Sequence, residues 1–148
     1  MGQVEVRWAS GEDRASWIRL RRALWPDCPD VTHRIEVDQA LARGGGALLA
    51  YHESSGAVGF AEVSVRSEHV DGASSSPVGY LEGWFVDEAF RGRGVGKTLV
   101  EAAVAWAAEH GLSELASDAA LTNVGSQAAH EALGFVEVGR SVHFVRKI

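Results

Sequence analysis

Arg91-Gly92-Arg93-Gly94-Val95-Gly96-Lys97 gathers three glycines and three cations at one point of the chain. Residues of these types, between an apolar strand and a helix, suit the binding of an anion. Glycine lets the backbone approach a phosphate, and the free N–H groups of a helix's first turn point at it. The helix dipole and the charges of Arg91, Arg93 and Lys97 add attraction. A plain helix start needs neither so many glycines nor so many cations. A dinucleotide fingerprint requires Gly-x-Gly-x-x-Gly, and the spacing Gly92-x-Gly94-x-Gly96 is one residue short. A P-loop requires Gly-x-x-x-x-Gly-Lys-Ser/Thr; Gly96-Lys97-Thr98 matches its end, but its first glycine would fall at Arg91.

Two carboxylates, Glu82 and Asp118, fall on or at the end of expected strands. Each has an ordinary structural use, Glu82 as a solvated or ion-paired side chain and Asp118 as a turn former or helix cap. His130 lies on an expected helix, where it can pack or, given its pKa range, move a proton. The single cysteine, Cys28, excludes an intrachain disulfide and a cysteine-based zinc site, and the six histidines show no metal-ligand spacing. Fourteen basic residues against twenty acidic ones give a net charge of −6, which argues against a general nucleic-acid binder and is compatible with a cationic partner. Glu5 and Arg7 interrupt what would be a signal peptide, Val6 breaks a myristoylation motif, and charges such as Glu101 break the long apolar stretches. A cytoplasmic protein without a membrane segment is expected.

The elements that must position these groups follow from periodicity. Residues 4 to 9 alternate and read as a strand. Ser10 precedes a helix carrying Trp17, Leu20 and Leu24, which Trp25-Pro26 ends. Thr32 starts a second helix toward Arg43, with Gly44-Gly45-Gly46 as its stop. Residues 47 to 51 and 57 to 66 form a hairpin around Glu53-Ser54-Ser55-Gly56. A strand over 78 to 86 leads into the glycine turn and a helix over about 94 to 110, which Gly111 stops. A strand over 112 to 118, a helix opened by Asn123 or Ser126 and ended by Gly134, and strands over 135 to 138 and 142 to 146 complete the chain. Residues 1–148 therefore predict one α/β domain, a mixed, mostly antiparallel sheet with helices on both faces.

Arg91-x-x-Gly94-x-Gly96 after a strand resembles the acetyl-CoA signature of the GNAT acetyltransferases. The run from Asn123 through Ser126-Gln127-Ala128-Ala129-His130 to Leu133-Gly134-Phe135 resembles that family's second motif. The resemblance implies that the amides of residues 92 to 97 (Gly92, Arg93, Gly94, Val95, Gly96 and Lys97) hold the pyrophosphate of acetyl-CoA. It further implies that Trp84-Phe85-Val86 pairs with the pantetheine arm as an added strand and that Asn123 binds the arm near the thioester. Leu24-Trp25-Pro26, Gly59-Phe60-Ala61, Ser75-Ser76-Pro77, Leu81-Glu82-Gly83 and Ala116-Ser117-Asp118 look like the aminoglycoside 6'-N-acetyltransferases within the family.

By that resemblance Glu82 and Asp118 bind the cationic sugar, Asp118 is the first choice of general base and Glu82 the second, and His130 is a candidate acid for the leaving thiolate. Trp25, Cys28, His69 and Glu137 are the remaining candidate substrate contacts. The resemblance also implies a homodimer and no metal. A GNAT acting on another small amine or polyamine, and a noncatalytic acyl-CoA-binding module, are the alternatives.

Overall fold

A computed structural model describes residues 2–44 and 46–148. Five strands, β1 (Val4–Trp8), β2 (Ala47–His52), β3 (Gly56–Arg66), β4 (Val78–Val86) and β5 (Leu115–Ser117), and four α-helices, α1 (Arg14–Leu24), α2 (Asp30–Ala42), α3 (Val95–Glu109) and α4 (Val124–Ala132), follow the order β1-α1-α2-β2-β3-β4-α3-β5-α4. The strands lie side by side in chain order. β1 to β4 are antiparallel, and β5 joins β4 in parallel after the α3 crossover.

Helices cover both faces because the central strands are apolar on both. Trp17, Ile18 and Leu20 of α1, with Val37 and Ala40 of α2, pack on Leu49 and Phe60. On the opposite face Val95, Leu99, Val100 and Ala103 of α3 pack on Leu48, Ala50, Val58, Ala61 and Leu81. Burying a large side chain of this kind contributes about 1.5–3 kcal/mol. The expected mixed, mostly antiparallel sheet with helices on both faces is the one observed.

One polar cluster lies under α1 and α2. Glu62 accepts from Trp17 Nε1 at 2.8 Å and from Arg21 Nη1 at 2.6 Å. Arg21 also pairs with Glu36 and donates through Nε to His33 Nδ1 at 3.1 Å. His33 Nδ1 is thereby an acceptor, which leaves Nε2–H to donate to the Trp25 carbonyl at 3.2 Å. Burial pushes the Glu62 carboxyl above its ordinary value, with Arg21 opposing.

Several boundaries differ from the sequence expectation. α2 begins at Asp30 rather than Thr32, because Pro29 supplies the N-cap at φ −60° and Asp30 enters the positive first turn, bonded to Arg22 and Arg34. Of the expected glycine stop, Gly44 is left-handed (φ +91°), and Gly45 lies outside the described residues. β5 is shorter than 112 to 118, since the Leu112 amide is spent on Ala107 O at the end of α3.

The largest correction concerns the C-terminus: neither 135 to 138 nor 142 to 146 forms a strand. Phe135 packs on the α3-side core, but Val136, Val138, Val142 and Phe144 are exposed. The apolar alternation is there, but the segment pairs with no other strand in the single chain, and alternation without backbone pairing is not a sheet.

Candidate active site

β4 carries the site, and two irregularities along it decide what it can do. Pairing to β5 covers only Gly79, Tyr80 and Leu81, so one edge of β4 is free from Glu82 to Val86 while the other stays paired to β3. That opens a split in the sheet into which an extended chain could lay itself as a strand. Secondly, Val63 pairs with Leu81 but Glu62 with Gly83, which makes Glu82 the extra residue of a β-bulge. The side-chain alternation shifts there. Leu81 faces α3, Glu82 and Gly83 both face the α1–α2 side, and Trp84 returns to the α3 side. A Cβ on Gly83 would collide with the indole of Trp25, so glycine at this position lets Trp25 lie against the bulge.

The cradle follows directly. Gly94 is the N-cap of α3 in the left-handed region, φ +82°, a conformation that disfavours other residues. Thr98 makes the first bond of the helix, to Gly94 O at 3.0 Å, leaving the amides of Val95, Gly96 and Lys97 without helical acceptors. Open space lies above Gly92 and Gly94. Gly96 serves a different purpose: a Cβ there would stand 3.1 Å from the Trp84 ring, so its bareness accommodates that indole while its amide stays in the first turn. Among the described residues, Trp84 Nε1 is the one buried side-chain polar atom without a hydrogen-bond partner. An unspent donor beside open amides fits a polar, phosphate-bearing ligand. Of the three cations, Arg91 is fixed by its bond to Val86 O at 2.8 Å and lies beside Phe85, Arg93 lies over Phe90, and Lys97 is exposed near Glu101.

Beyond the split, α4 begins at Asn123, whose Oδ1 accepts from Ser126 N at 3.1 Å. His130 sits between Trp84 and Phe135 with ring centroids 5.1 Å away on each side. Its Nδ1 is 2.7 Å from Ser126 O, which can only accept, so Nδ1 carries a proton. Its Nε2 faces Ser117 Oγ at 2.9 Å. His130 therefore has a proton at Nε2 only as the imidazolium.

On the α1–α2 side of the sheet lies a cleft of about 590 Å³, lined among others by Trp25, Cys28, Glu36, Gln39, Ser64 and Glu82. Of the residues expected to contact substrate, Trp25, Cys28 and Glu82 meet in it. Trp25 also packs edge-on to Phe60, so it is core and wall at once. Asp118, also expected to contact substrate, is not among the lining residues; it accepts from Tyr80 Oη at 2.5 Å. Burial first, and then that bond, raise the Tyr80 phenol well above its ordinary value and keep it a donor. Glu82 is not free: Ser64 Oγ donates to it at 2.5 Å, and Arg66 grips it through Nε at 2.9 Å and Nη2 at 2.5 Å. His69 and Glu137 stand outside the cleft lining, the first exposed beside Asp71 and the second paired with Arg140.

Sequence reasoning passed over Glu36, Gln39, Ser64, Arg66 and Tyr80. A signal existed for some of them: Glu62, Ser64 and Arg66 alternate as polar residues on an otherwise apolar β3, which puts them on one face.

Comparison with known proteins agrees with this geometry. The acetyltransferase (GNAT) family model matches residues 14–135. The aminoglycoside N(6')-acetyltransferase type 1 of Stenotrophomonas maltophilia is 46% identical over 140 residues, covering 94% of this chain and 90% of that protein. The enzyme of the same name from Salmonella typhimurium is 42% identical over 144 residues, covering 97% and 99%. The structure of aminoglycoside N-acetyltransferase AAC(6')-Iy in complex with CoA superposes with a TM-score of 0.92 at 36% identity, covering 100% of this chain and 97% of that one. The same enzyme with a bisubstrate analogue, CoA-S-monomethyl-acetylneamine, gives 0.88 at 36% identity, covering 99% of each chain. A matching family model over most of the chain, a split β4 edge beside open helix-start amides, and relatives aligned nearly end to end lead to one assignment: this chain belongs to the GNAT acetyltransferase family, among the aminoglycoside N(6')-acetyltransferases.

Proposed function

We propose that the protein transfers the acetyl group of acetyl-CoA to the 6'-amine of aminoglycosides. The observation that carries this reading is the bulge at Glu82, which turns a carboxylate onto the acceptor cleft at the point where β4 parts from β5. The diphosphate of acetyl-CoA rests on the amides of residues 92 to 97, with Arg91, Arg93 and Lys97 nearby. The pantetheine arm runs along the free edge of Trp84-Phe85-Val86, and Asn123 meets it from the start of α4. The thioester then reaches the split between the acceptor cleft and α4.

A protonated sugar amine is held by Glu82, with Trp25 and Cys28 forming the wall. It must lose a proton before its nitrogen can attack the thioester carbonyl carbon. Asp118 takes that proton, directly or through water, and Glu82 is the second candidate. A backbone N–H near Phe85 or Val86 stabilises the oxyanion. As the C–S bond breaks, the thiolate of CoA takes a proton, and His130 can give it one only as the imidazolium. His69 and Glu137, outside the cleft in the single chain, are left out of this acceptor site.

We also infer a cytoplasmic homodimer that takes neither nucleic acid nor membrane as a partner. Among the described residues no helix is long and apolar enough to cross a membrane. The arm beyond Gly134 supports the dimer. Its Val136, Val138, Val142, Phe144 and Val145 are exposed, an amount of apolar surface of the kind that seeks a partner. β5, the last strand of the sheet, has an open edge. Glu137 rides on this arm. Sedimentation should give a dimer for the full chain and a monomer after Phe144→Asp; a monomeric wild type contradicts the inference.

The activity is tested by following thiol release from acetyl-CoA over a panel of aminoglycosides, with 6'-hydroxyl analogues and linear polyamines beside them. Release with 6'-amino sugars alone is the expected result. Equal release with the hydroxyl analogues, or turnover of polyamines only, would overturn the assignment.

A further inference from the structure

Arg66 occupies both features that would recognise a cationic sugar. Its guanidinium is bidentate on Glu82, at 2.5 and 2.9 Å, and at the same time lies 3.4 Å from the centroid of the Tyr80 ring. A carboxylate beside an aromatic face is what an ammonium-bearing sugar requires. While Arg66 is in place, Glu82 is neutralised and the ring is covered. An incoming cation gains little from a carboxylate whose charge is already balanced.

Arg66 is also built to leave. It is the last residue of β3, followed by a loop, and its side chain is 42% exposed. Releasing it into water therefore breaks a partly screened ion pair and regains hydration for the guanidinium. Arg21 differs in this respect: its side chain is 5% exposed and tied to Glu62, Glu36 and His33, so it cannot be exchanged for a ligand.

We infer that Arg66 is an internal stand-in for the cationic acceptor, which substrate displaces from Glu82 and Tyr80, making Arg66 a specificity-determining residue. The stand-in keeps Glu82 oriented and disfavours ligands that cannot replace a cation by a cation. It rests on the acetyl-transfer reading only for the identity of the ligand.

Removing this partner of a site carboxylate should therefore strengthen binding. Relief from an internal competitor of this exposure is expected to tighten binding about three- to tenfold. Calorimetry on wild type and Arg66→Met should show that gain for a kanamycin-type aminoglycoside, and a smaller one for a linear polyamine. The salt dependence should steepen as well. In the wild type one cation replaces another, whereas in the variant an unpaired carboxylate meets the ligand. Arg34→Met, which removes a positive charge paired with Asp30 on α2, controls for net charge and should leave affinity within about twofold.

Unchanged or weaker binding to Arg66→Met, an unchanged salt slope, or an equal gain in Arg34→Met would overturn the inference. If Arg66→Met binds more tightly but the wild type transfers no acetyl group, the stand-in survives and the acetyl-transfer reading fails.

Discussion

The two halves of β4 are made of different material. Toward its C-terminal end the proposed ligand contacts are backbone: a free strand edge and three open amides at the start of α3. Toward its middle the proposed contacts are side chains, Ser64, Arg66, Tyr80, Glu82 and Asp118, each fixed by another. A backbone site tolerates change in the side chains around it and fails when a φ angle is forbidden. A side-chain site fails when any link is cut. The first half suits a ligand that is the same in every turnover, and the second suits acceptors that differ.

This contrast can be broken at either end. The largest effect belongs to Asp118→Ala, which should lower kcat with an aminoglycoside by about two to three orders of magnitude, the range of a lost general base. Its affinity for acetyl-CoA should stay near that of the wild type; steady-state kinetics with calorimetry decides, and wild-type turnover would strip Asp118 of its role. Gly94→Val forces a β-branched residue to φ +82°. A strain of about 1–3 kcal/mol at that point should weaken CoA binding roughly 10- to 100-fold while leaving the affinity for aminoglycoside nearly unchanged. Equal loss of both ligands would mean that the halves are not separate.

Tyr80→Phe cuts one link on the acceptor side and should reduce kcat/KM about tenfold, the worth of a hydrogen bond to a charged group. CoA affinity serves as its internal reference. Because the Tyr80 phenol is raised above its ordinary value, its ionisation should put no limb in the pH–rate profile at or below pH 10.

The smallest functional effect is expected from Asp13→Asn, which lies in neither half. Asp13 is buried, which by itself raises its carboxyl, but bonds from Tyr51, the Ser10 amide and Arg7 outweigh that and hold it below the ordinary 3.8. A depressed native value means that the unfolded state binds the extra proton. Asp13 therefore contributes stability above that ordinary value and loses the contribution as pH falls through its native one. The variant should lose about 2–3 kcal/mol near neutral pH, with unchanged ligand affinities. The gap in melting temperature between the two proteins should close below about pH 4.

How far the sequence could be read depended on whether a feature is local. The glycine turn between β4 and α3 is local, since glycine spacing and the strand–helix junction lie within one short run, and so its geometry is legible. Glu82 and Asp118 could be picked out by residue type and resemblance, but not their setting. The bulge at Glu82 depends on the register of β3, which lies some twenty residues upstream of its partner positions on β4. The grip of Arg66 and the reach of Tyr80 to Asp118 exist only once β3, β4 and β5 are side by side. Trp25 could be read as core or as ligand wall, and it turned out to border both Phe60 and the cleft. The C-terminal strands failed for a different reason. Periodicity near Val136 and Phe144 shows what a segment is suited to, but a strand needs a paired neighbour, and this segment has none in the single chain.

The most direct test is a crystal structure of the protein with CoA. The diphosphate should lie on the amides of residues 92 to 97, with the pantetheine arm along the free edge of β4 and the sulfur in the split between the Glu82 cleft and α4. CoA bound elsewhere, or a sulfur turned away from both Glu82 and Asp118, would contradict the account.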